Sequence, residues 1–259
     1  MPDAVHSGVR RSTATARILE QRQLTPSHYH LIAEASAIAE ATKPGMFVMI
    51  QCWEEGTFDP FLPRAFSICD AHDGRLEFFY KTWGIGTYRL ARMGPGETFE
   101  IFGPLGVPFD QGEYKHRVLV AGGTGTAPFV ALMRAIRPGR VSVLLGSRND
   151  SEIFFEQTFK NYGADVQIST EDGSRGHKGF PTETLEEILK GENPGDVHVS
   201  ACGPNPMLYK IWDLAKRYRA RCQISIETPM ACGVGACLGC WDDHFGVHAC
   251  FEGPVVSNY

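Results

Sequence analysis

Four cysteines near the carboxyl end of the chain have the spacing of ligands to an iron–sulfur cluster. They follow the pattern C-x4-C-x2-C, and nine residues then separate the third cysteine from the fourth: Cys232, Cys237, Cys240 and Cys250. The first three match the plant-type spacing of [2Fe–2S] ligands. Gly233, Gly235 and Gly239 lie between them, and glycine lets a backbone fold closely around inorganic sulfide because it has no Cβ. The pattern predicts a [2Fe–2S] centre held by four thiolates.

Zinc ligation and disulfide bonds are the alternatives for these cysteines. A zinc ribbon joins two C-x2-C pairs across a longer insert, whereas this segment has one such pair. Disulfide bonds need an oxidising compartment and usually stabilise small folds. The spacing favours iron–sulfur ligation, and both alternatives stay open at this stage. The remaining cysteines are expected to be reduced and mostly buried: Cys52, Cys69, Cys202 and Cys222.

A glycine-rich turn between an apolar strand and a helix is the second signal. After the apolar residues 118–121 come Gly122, Gly123, Thr124 and Gly125, with a proline soon after. Glycines let the main chain approach a pyrophosphate, and a helix amino terminus offers it free N–H groups. The segment is not the G-x-G-x-x-G fingerprint. It predicts either a nucleotide phosphate site or a tight structural turn.

Cys202, Gly203 and Pro204 follow another predicted strand and precede a helix. Ligands of parallel sheets bind at the carboxyl ends of the strands, so Cys202 would lie near a bound nicotinamide. The alternative is a plain strand-to-helix turn that the cysteine merely fills.

Two acidic residues, Glu171 and Asp172, follow a third predicted strand. Acidic side chains at such a position can bind a ribose hydroxyl and would repel a 2′-phosphate. They favour NADH over NADPH. Arg148 and Arg175 are close in sequence and could reverse the preference.

The amino-terminal half carries two segments that could hold a flavin nucleotide. The first is a strand-like run after a proline: Arg64, Ala65, Phe66 and Ser67. Its arginine could face a phosphate and its aromatic ring a flavin, although a bland strand is the alternative. The second is a G-x-G-T turn that ends in Gly86 and Thr87. Its backbone N–H groups and threonine hydroxyl could bind a second phosphate group.

The order of the predicted elements divides the chain into three parts. Short strands with Gly and Pro between them over residues 14–111 predict a closed or nearly closed β-barrel. Strands that alternate with helices over residues 112–222 predict an α/β domain with a parallel sheet. Residues 223–259 contain the four cysteines and are predicted to form a [2Fe–2S] cluster segment.

Composition and charge limit the partners and the compartment. The 259 residues are 43% hydrophobic and 21% charged, which is ordinary for a soluble globular protein. The formal net charge of -5 disfavours binding to nucleic acid or an anionic membrane. No apolar run is long enough for a membrane span, and the polar residues 1–16 lack the apolar core of a secretory signal. We expect a cytoplasmic protein with a frayed amino-terminal extension.

The motifs together resemble those of the ferredoxin-NADP+ reductase superfamily, over residues 15–256. With the terminal cysteines, the chain is most similar to the electron-transfer subunits of dihydroorotate dehydrogenase B. The resemblance implies that FAD contacts these residues: Arg64, Ala65, Phe66, Ser67, Phe79, Tyr80, Lys81, Gly86 and Thr87. It also implies NAD at the α/β domain and a cluster on the four cysteines. The chain departs from the family in having Pro-Arg-Ala-Phe-Ser for Arg-Arg-Pro-Ile-Ser and a shorter loop before Cys250.

The implied activity is an electron relay. A flavin can exchange a hydride with a nicotinamide and single electrons with a cluster, so FAD is expected between NAD and [2Fe–2S]. No side chain is expected to act as a catalytic acid or base. The implied partner is an FMN-containing dihydroorotate dehydrogenase catalytic subunit, in a heterotetramer of two catalytic and two electron-transfer subunits. A related subunit of a sulfide dehydrogenase, transhydrogenase or hydrogenase is one alternative, and a zinc-stabilised binding module is another.

Overall fold

The computed structural model describes residues 9–52, 56–57, 59–136 and 139–259. The chain forms two compact units. Unit one comprises Met1–Pro108 with Thr228–Pro254, and unit two comprises Phe109–Glu227 with Val255–Tyr259. The segment 223–259, which we predicted as one piece, therefore contributes to both units. Of the predicted amino-terminal extension, residues 1–8 lie outside the described ranges.

Unit one is built on a seven-stranded antiparallel sheet that curls into a half-barrel. Its elements are β1 (Ser12–Gln23), β2 (His28–Glu34), α1 (Ser36–Ala41), β3 (Phe47–Ile50), β4 (Arg64–Ser67), β5 (Asp70–His72), β6 (Arg75–Lys81), α2 (Ile85–Leu90) and β7 (Thr98–Leu105). The strand order is β4-β3-β7-β1-β2-β6-β5. Alternation along β6 builds the core, because Leu76, Phe78 and Tyr80 point into it while the residues between them face the other side.

Unit two contains a parallel sheet with helices between its strands. Its elements are β8 (His116–Gly122), α3 (Ala127–Ala135), β9 (Arg140–Ser147), α4 (Glu156–Asn161), β10 (Asp165–Thr170), β11 (His177–Lys178), α5 (Pro181–Gly191), β12 (Val197–Cys202), α6 (Asn205–Tyr218) and β13 (Arg221–Ser225). Strands β8 and β12 read as continuous buried runs, as expected for strands covered on both faces.

The last part of the chain leaves unit two and returns to it. In unit one it forms a small hairpin of β14 (Trp241–Asp242) and β15 (Val247–His248). Strand β16 (Val255–Ser257) then pairs antiparallel with β13. The sheet of unit two thus has the order β11-β10-β9-β8-β12-β13-β16.

The predicted fold class is confirmed, with corrections at its edges. Strand β1 begins at Ser12, which pairs with Gly103 of β7 in an antiparallel ladder. Residues 12–16 are therefore not frayed. Helix α1 and strand β5 were not predicted, because both are too short for a clear periodic pattern. None of the helices within the described ranges has the length and apolar character needed to cross a membrane.

Candidate functional site

The four cysteines lie in unit one, before and around the β14–β15 hairpin. They are free thiols, as are the other four cysteines of the chain. Cys237 is exposed, Cys232 is partly exposed, and Cys240 and Cys250 are buried. One predicted ligand therefore reaches the surface while two are covered by protein.

Main-chain N–H groups are directed at three of the four sulfurs. The Val234 N–H donates to the Cys232 Sγ at 3.4 Å. The Gly235 N–H donates to the Cys250 Sγ at 3.2 Å, and the Cys250 N–H donates to the Cys240 Sγ at 3.4 Å. Hydrogen bonds of this kind stabilise thiolates and tune the potential of an iron–sulfur cluster. The donor set therefore fits the predicted cluster.

Two glycines in this loop are required by its neighbours. Gly233 and Gly235 have φ of +72° and +78°. A Cβ on Gly233 would lie 2.7 Å from Met49 Cγ of the half-barrel, and one on Gly235 would lie 2.8 Å from the Phe251 ring. We expected these glycines to make room for the cluster. In the structure they also let the loop pack against β3 and turn its N–H groups toward sulfur.

Two of the thiols differ in acidity. Burial acts to raise the pKa of Cys232, but N–H groups of Val234 and Cys237 outweigh it and lower this pKa to about 6. Burial raises the pKa of Cys250 to about 12, and the neighbouring Cys240 thiol adds to the effect. Metal ligation requires thiolates, so Cys232 is prepared for it and Cys250 must lose its proton as the metal binds.

The spread of the four sulfurs fits two metal atoms better than one. A single zinc ion holds its sulfurs at about 2.3 Å, so any two of them lie within about 4.6 Å of each other. Among the described residues, the only three ligand groups with atoms within 4.8 Å of one another are Asp70, His72 and Glu77. No three cysteine sulfurs meet this condition. A two-iron centre distributes its ligands over two metals, which permits the wider spacing.

The two segments predicted to bind flavin meet in space. Arg64 begins β4, and its Nη1 donates to the Leu62 carbonyl at 2.7 Å. A Cβ on Gly86 would lie 3.4 Å from Arg64 Cγ and 3.2 Å from Cys52 Cβ. The arginine therefore lies over the first turn of α2, where a side chain at position 86 would disturb it.

The hydroxyl of Thr87 is committed to the turn before α2. Its Oγ1 accepts from the Trp83 N–H at 2.8 Å and from the Gly84 N–H at 3.2 Å, and it donates to the Gly84 carbonyl at 2.9 Å. We predicted that this hydroxyl and nearby N–H groups bind phosphate. In the structure the hydroxyl and these two N–H groups stabilise the turn, and phosphate binding there stays a prediction.

The aromatic residues predicted at the flavin are mostly in the core. Phe66 is 6% exposed, and its ring lies edge-on to Tyr80 at 5.6 Å between centroids. The Phe66 ring therefore packs within the half-barrel, and its contact with a flavin stays a prediction. The Tyr80 hydroxyl donates to Gln21 at 3.0 Å, and Phe79 stacks on His28. Side chains exposed on β4 are those of Ala65 and Ser67, and Lys81 is partly exposed at the end of β6.

A cavity beside these segments was missed by the sequence reading. It has a volume of about 640 Å³, within the range of ligand pockets. Its lining includes Cys52, Arg89, Arg92, Glu97 and Glu100. The two arginines lie in α2 and just after it, outside any recognisable motif. The cavity adjoins the predicted flavin segments through Cys52, next to Gly86, and through Arg89 of α2.

The predicted NAD segments of unit two lie at the carboxyl ends of its parallel strands. Gly122 ends β8 and Cys202 ends the neighbouring strand β12. A Cβ on Gly125 would lie 2.2 Å from the Cys202 carbonyl oxygen, and one on Gly203 would lie 2.9 Å from the Gly122 nitrogen. The chain segments after β8 and β12 therefore pack closely against each other, which requires glycine at positions 125 and 203. The sequence could not indicate this contact.

The turn after β8 leaves open space at one of its glycines. Gly123 has φ of +55°, and a Cβ there would meet no atom within 4 Å. Gly123 to Thr126 form a 3-10 turn that contains Thr124 and leads into α3. Across the strand ends, Pro204 precedes the first turn of α6. Two helix amino termini thus begin at this edge of the sheet.

Cys202 is a buried, neutral thiol. It is 2% exposed, and burial raises its pKa far above the usual thiol value. It is therefore not a nucleophile. Its contact with Gly125 makes it part of the wall of the predicted site.

Glu171 and Asp172 directly follow β10. In the sheet, β9 separates β10 from β8, the strand that leads into the glycine-rich turn. The Glu171 N–H donates to the Ser147 carbonyl at 3.1 Å. The Asp172 carboxylate accepts from the Ser174 N–H and hydroxyl at 2.9 and 2.7 Å, and these hydrogen bonds lower its pKa. Arg175, which could have reversed the preference for NADH, instead contacts carboxylates of Asp150 and Glu156.

Family models match two of the three predicted cofactor regions, those of NAD and of the iron–sulfur cluster. The family model of the oxidoreductase NAD-binding domain matches residues 119–212. The model of the iron-sulfur cluster binding domain of dihydroorotate dehydrogenase B matches residues 227–258. These matches agree with the nucleotide edge of unit two and with the four cysteines.

Solved structures share the fold. The structure of the NADH-dependent reduced ferredoxin-NADP oxidoreductase aligns with a TM-score of 0.84 at 22% identity, covering 95% of this chain and 89% of that one. The ferredoxin NADP+ reductase of Neisseria gonorrhoeae, solved with bound FAD and NADP, aligns at 0.66 and 17% identity, covering 80% and 91%.

Relatives of known name cover almost the whole chain. The dihydroorotate dehydrogenase B (NAD(+)) electron transfer subunit of Caldanaerobacter subterraneus subsp. tengcongensis is 35% identical over 247 residues, which span 93% of this chain and 94% of the relative. The subunit of the same name from Clostridium perfringens is 35% identical over 248 residues, with the same coverage of both chains. The chain therefore belongs to the family of dihydroorotate dehydrogenase B electron transfer subunits.

Proposed function

We propose that this chain relays electrons between a dihydroorotate-oxidising catalytic subunit and NAD+. The main-chain N–H groups directed at three of the four cysteine sulfurs carry this proposal, because they prepare the loop to hold an iron–sulfur cluster. FAD, when bound, would convert between hydride transfer to the nicotinamide and single-electron transfer to the cluster. The relatives are named electron transfer subunits of an NAD+-dependent enzyme. Their names support electron flow from the catalytic subunit to NAD+.

The chain's own residues bind and position the cofactors. In unit one, the Arg64 guanidinium supplies charge for a flavin phosphate, and the exposed face of β4 receives the flavin. In unit two, Gly122 to Gly125 bring main-chain N–H groups to the NAD pyrophosphate. Glu171 and Asp172 bind the ribose hydroxyls, and their negative charge disfavours a 2′-phosphate.

Replacing Arg64 with alanine is expected to weaken FAD binding about 10- to 100-fold. A charge-assisted hydrogen bond contributes about 1.5–3 kcal/mol, which corresponds to that range of affinity. The ratio of flavin absorbance to protein after gel filtration measures the effect. Arg22→Ala is the matched control, because Arg22 is an exposed arginine of the same sheet that pairs with nearby Glu20. Unchanged flavin content in Arg64→Ala would contradict this role.

The partner is proposed to dock on the surface around Cys237. This is the exposed predicted ligand of the four, so it offers a short path for electrons from the partner to the cluster. Apolar side chains surround it in sequence, with Val234 37%, Leu238 54% and Trp241 47% exposed. Exposed apolar groups of this kind are typical of a protein interface. We infer a cytoplasmic complex of two catalytic subunits, each holding FMN, with two copies of this chain.

Leu238→Asn is expected to weaken binding of the catalytic subunit about tenfold, since truncating an interface anchor costs more than about 1 kcal/mol. Leu238 has φ of +57°, a conformation that asparagine adopts readily, so the loop keeps its shape. Surface plasmon resonance between the purified subunits measures the change. Leu24→Asn is the control, because Leu24 is also exposed (43%) but lies far along the chain from the cysteines. Equal affinities of the two variants would place the partner elsewhere.

The activity itself is tested by mixing the chain with its co-purified partner. Addition of dihydroorotate should produce NADH only when both subunits are present. Native mass spectrometry of the complex should give two copies of each chain and one FMN for each catalytic subunit. A co-purified partner without FMN, or one that reduces NAD+ with another donor, would refute the assignment to dihydroorotate oxidation.

A further inference from the structure

Two side chains from outside the C-x4-C-x2-C motif pack against the loop between its first two cysteines. A Cβ on Gly233 would lie 2.7 Å from Met49 Cγ, and one on Gly235 would lie 2.8 Å from Phe251 Cδ1. A real Cβ needs more than 3.0 Å, so each glycine is in direct contact with its neighbour. Met49 belongs to β3, and Phe251 directly follows the fourth cysteine.

Met49 is on the face of β3 that points away from the core of the half-barrel. Val48 and Ile50 belong to that core, and side chains alternate along a strand. The cross-strand neighbour of Met49 on β4 is Ala65, which is exposed, whereas Met49 is only 2% exposed. The loop at Gly233 therefore helps to cover Met49, and this contact holds the loop against the sheet.

Phe251 belongs to a stack of three rings on the β14–β15 hairpin and the turn after it. Its ring lies on that of His248, with 5.2 Å between centroids and 22° between planes. Trp241 meets His248 edge-on at 4.9 Å, and these two residues pair across the hairpin. Glu252 Oε2 accepts the His248 main-chain N–H at 2.6 Å and lies 3.0 Å from its Nδ1. The hairpin therefore supports the Phe251 ring where it packs against Gly235.

The two glycine contacts fix the N–H groups of this loop that donate to sulfur. The Val234 N–H, directly after Gly233, donates to the Cys232 Sγ. The Gly235 N–H donates to the Cys250 Sγ. Sulfur is a weak acceptor, and a hydrogen bond weakens steeply as it departs from linearity. A small rotation of the loop would therefore weaken both hydrogen bonds.

We propose that Met49 and Phe251 are positioning residues, which set the reduction potential of the iron–sulfur cluster by holding these two N–H groups on sulfur. The inference rests on the cluster of the proposed function. Reduction adds a negative charge to a cluster, and donors directed at its sulfurs stabilise that charge. The two side chains therefore keep the potential higher than the same loop would give without them.

Redox titration of the holoprotein, followed by electron paramagnetic resonance, tests the proposal, with iron counted in every sample. In Phe251→Leu and in Met49→Ala, the ratio of reduced to oxidised cluster at a fixed potential should fall about two- to tenfold, as weakening of one hydrogen bond predicts. This fall corresponds to a midpoint potential about 20–60 mV lower for a one-electron couple. Met49→Leu keeps the side-chain volume and Phe251→Tyr keeps the ring, so both should titrate as wild type.

Two further variants control for a general loss of packing. Ile50→Ala truncates the next side chain of β3, which faces the core. Phe245→Leu removes a ring in the turn of the same hairpin, where it lies against His244. Both controls should keep the wild-type potential and iron content.

A wild-type potential in Phe251→Leu or in Met49→Ala would overturn the role of that residue. A higher potential would also overturn it, because the side chain would then act by excluding water, which stabilises the reduced charge. Loss of iron in these variants, with iron kept in Ile50→Ala and Phe245→Leu, would support positioning of the loop. Equal loss in the controls would refute it. Wild-type protein without iron would instead count against the proposed function itself.

Discussion

Cys237→Ala is expected to abolish dihydroorotate-dependent reduction of NAD+ while NADH still reduces the bound FAD. Three thiols remain, but a [2Fe–2S] cluster needs four ligands. The chain segment keeps its fold, because Cys237 is exposed and contributes little to a core. The residues proposed to bind NAD belong to unit two, and those proposed for flavin lie on β4 and α2. Loss of even an outer partner of a metal ligand lowers metal affinity or activity about 10–100-fold. We therefore expect the rate of dihydroorotate-dependent NAD+ reduction to be at least about 100-fold lower.

Visible absorbance and electron paramagnetic resonance of the reduced protein report the cluster, and stopped-flow mixing with NADH reports the flavin. Cys222→Ala is the matched control. Cys222 is fully buried in β13 of unit two, and burial raises its pKa far above the thiol value, so its loss should leave cluster and transfer intact. A wild-type rate of dihydroorotate-dependent NAD+ reduction by Cys237→Ala would rule out this residue as a ligand.

The iron–sulfur segment could be predicted because the cysteine motif is local in sequence, and a family model for such a domain matches residues 227–258. Four ligands within 19 residues, from Cys232 to Cys250, have a spacing that few structures other than an iron–sulfur loop require. The reason for the glycines was only partly predictable. Gly233 must be small because Met49, on a strand far away in sequence, occupies the space that its Cβ would fill.

The orientation of side chains on short strands was harder to predict. The run from Arg64 to Ser67 indicates a strand, but four residues do not say which face is buried. The structure buries Phe66 against Tyr80, which the sequence of this strand alone does not indicate. Alternation has two possible phases, and the neighbouring strands decide between them.

Contacts assembled from several strands leave no sequence signal. Asp70 and Glu77 meet because β5 and β6 pair in one register, and His30 joins them from β2. The contact of Gly125 with Cys202 arises in the same way, from two parallel neighbours separated by a long stretch of chain. Such pairings are set by the whole sheet, so they become visible only in the fold.

Gly125→Ala is expected to remove NADH-dependent reduction of FAD, with a rate at least about 100-fold lower, and to destabilise unit two by about 1–3 kcal/mol. The new methyl group would lie 2.2 Å from the Cys202 carbonyl oxygen and 2.5 Å from its carbon. Both are main-chain atoms of a buried strand, so no side-chain rotation relieves the clash. The ends of β8 and β12 must separate, which moves the N–H groups proposed for the NAD pyrophosphate. A misplacement of about 1 Å is enough to cost such a factor.

Gly191→Ala separates this effect from any general consequence of adding a methyl group. Gly191 is in the same unit, at the end of α5, and its Cβ would meet no atom within 4 Å. It should keep the wild-type rate and unfold at an equal or higher temperature, because alanine is the better helix former. Stopped-flow reduction of FAD and calorimetry of both variants give the comparison. The cluster lies in unit one, so its absorbance should survive in Gly125→Ala. A wild-type rate constant in that variant would show that the contact between the strand ends does not shape the NAD site.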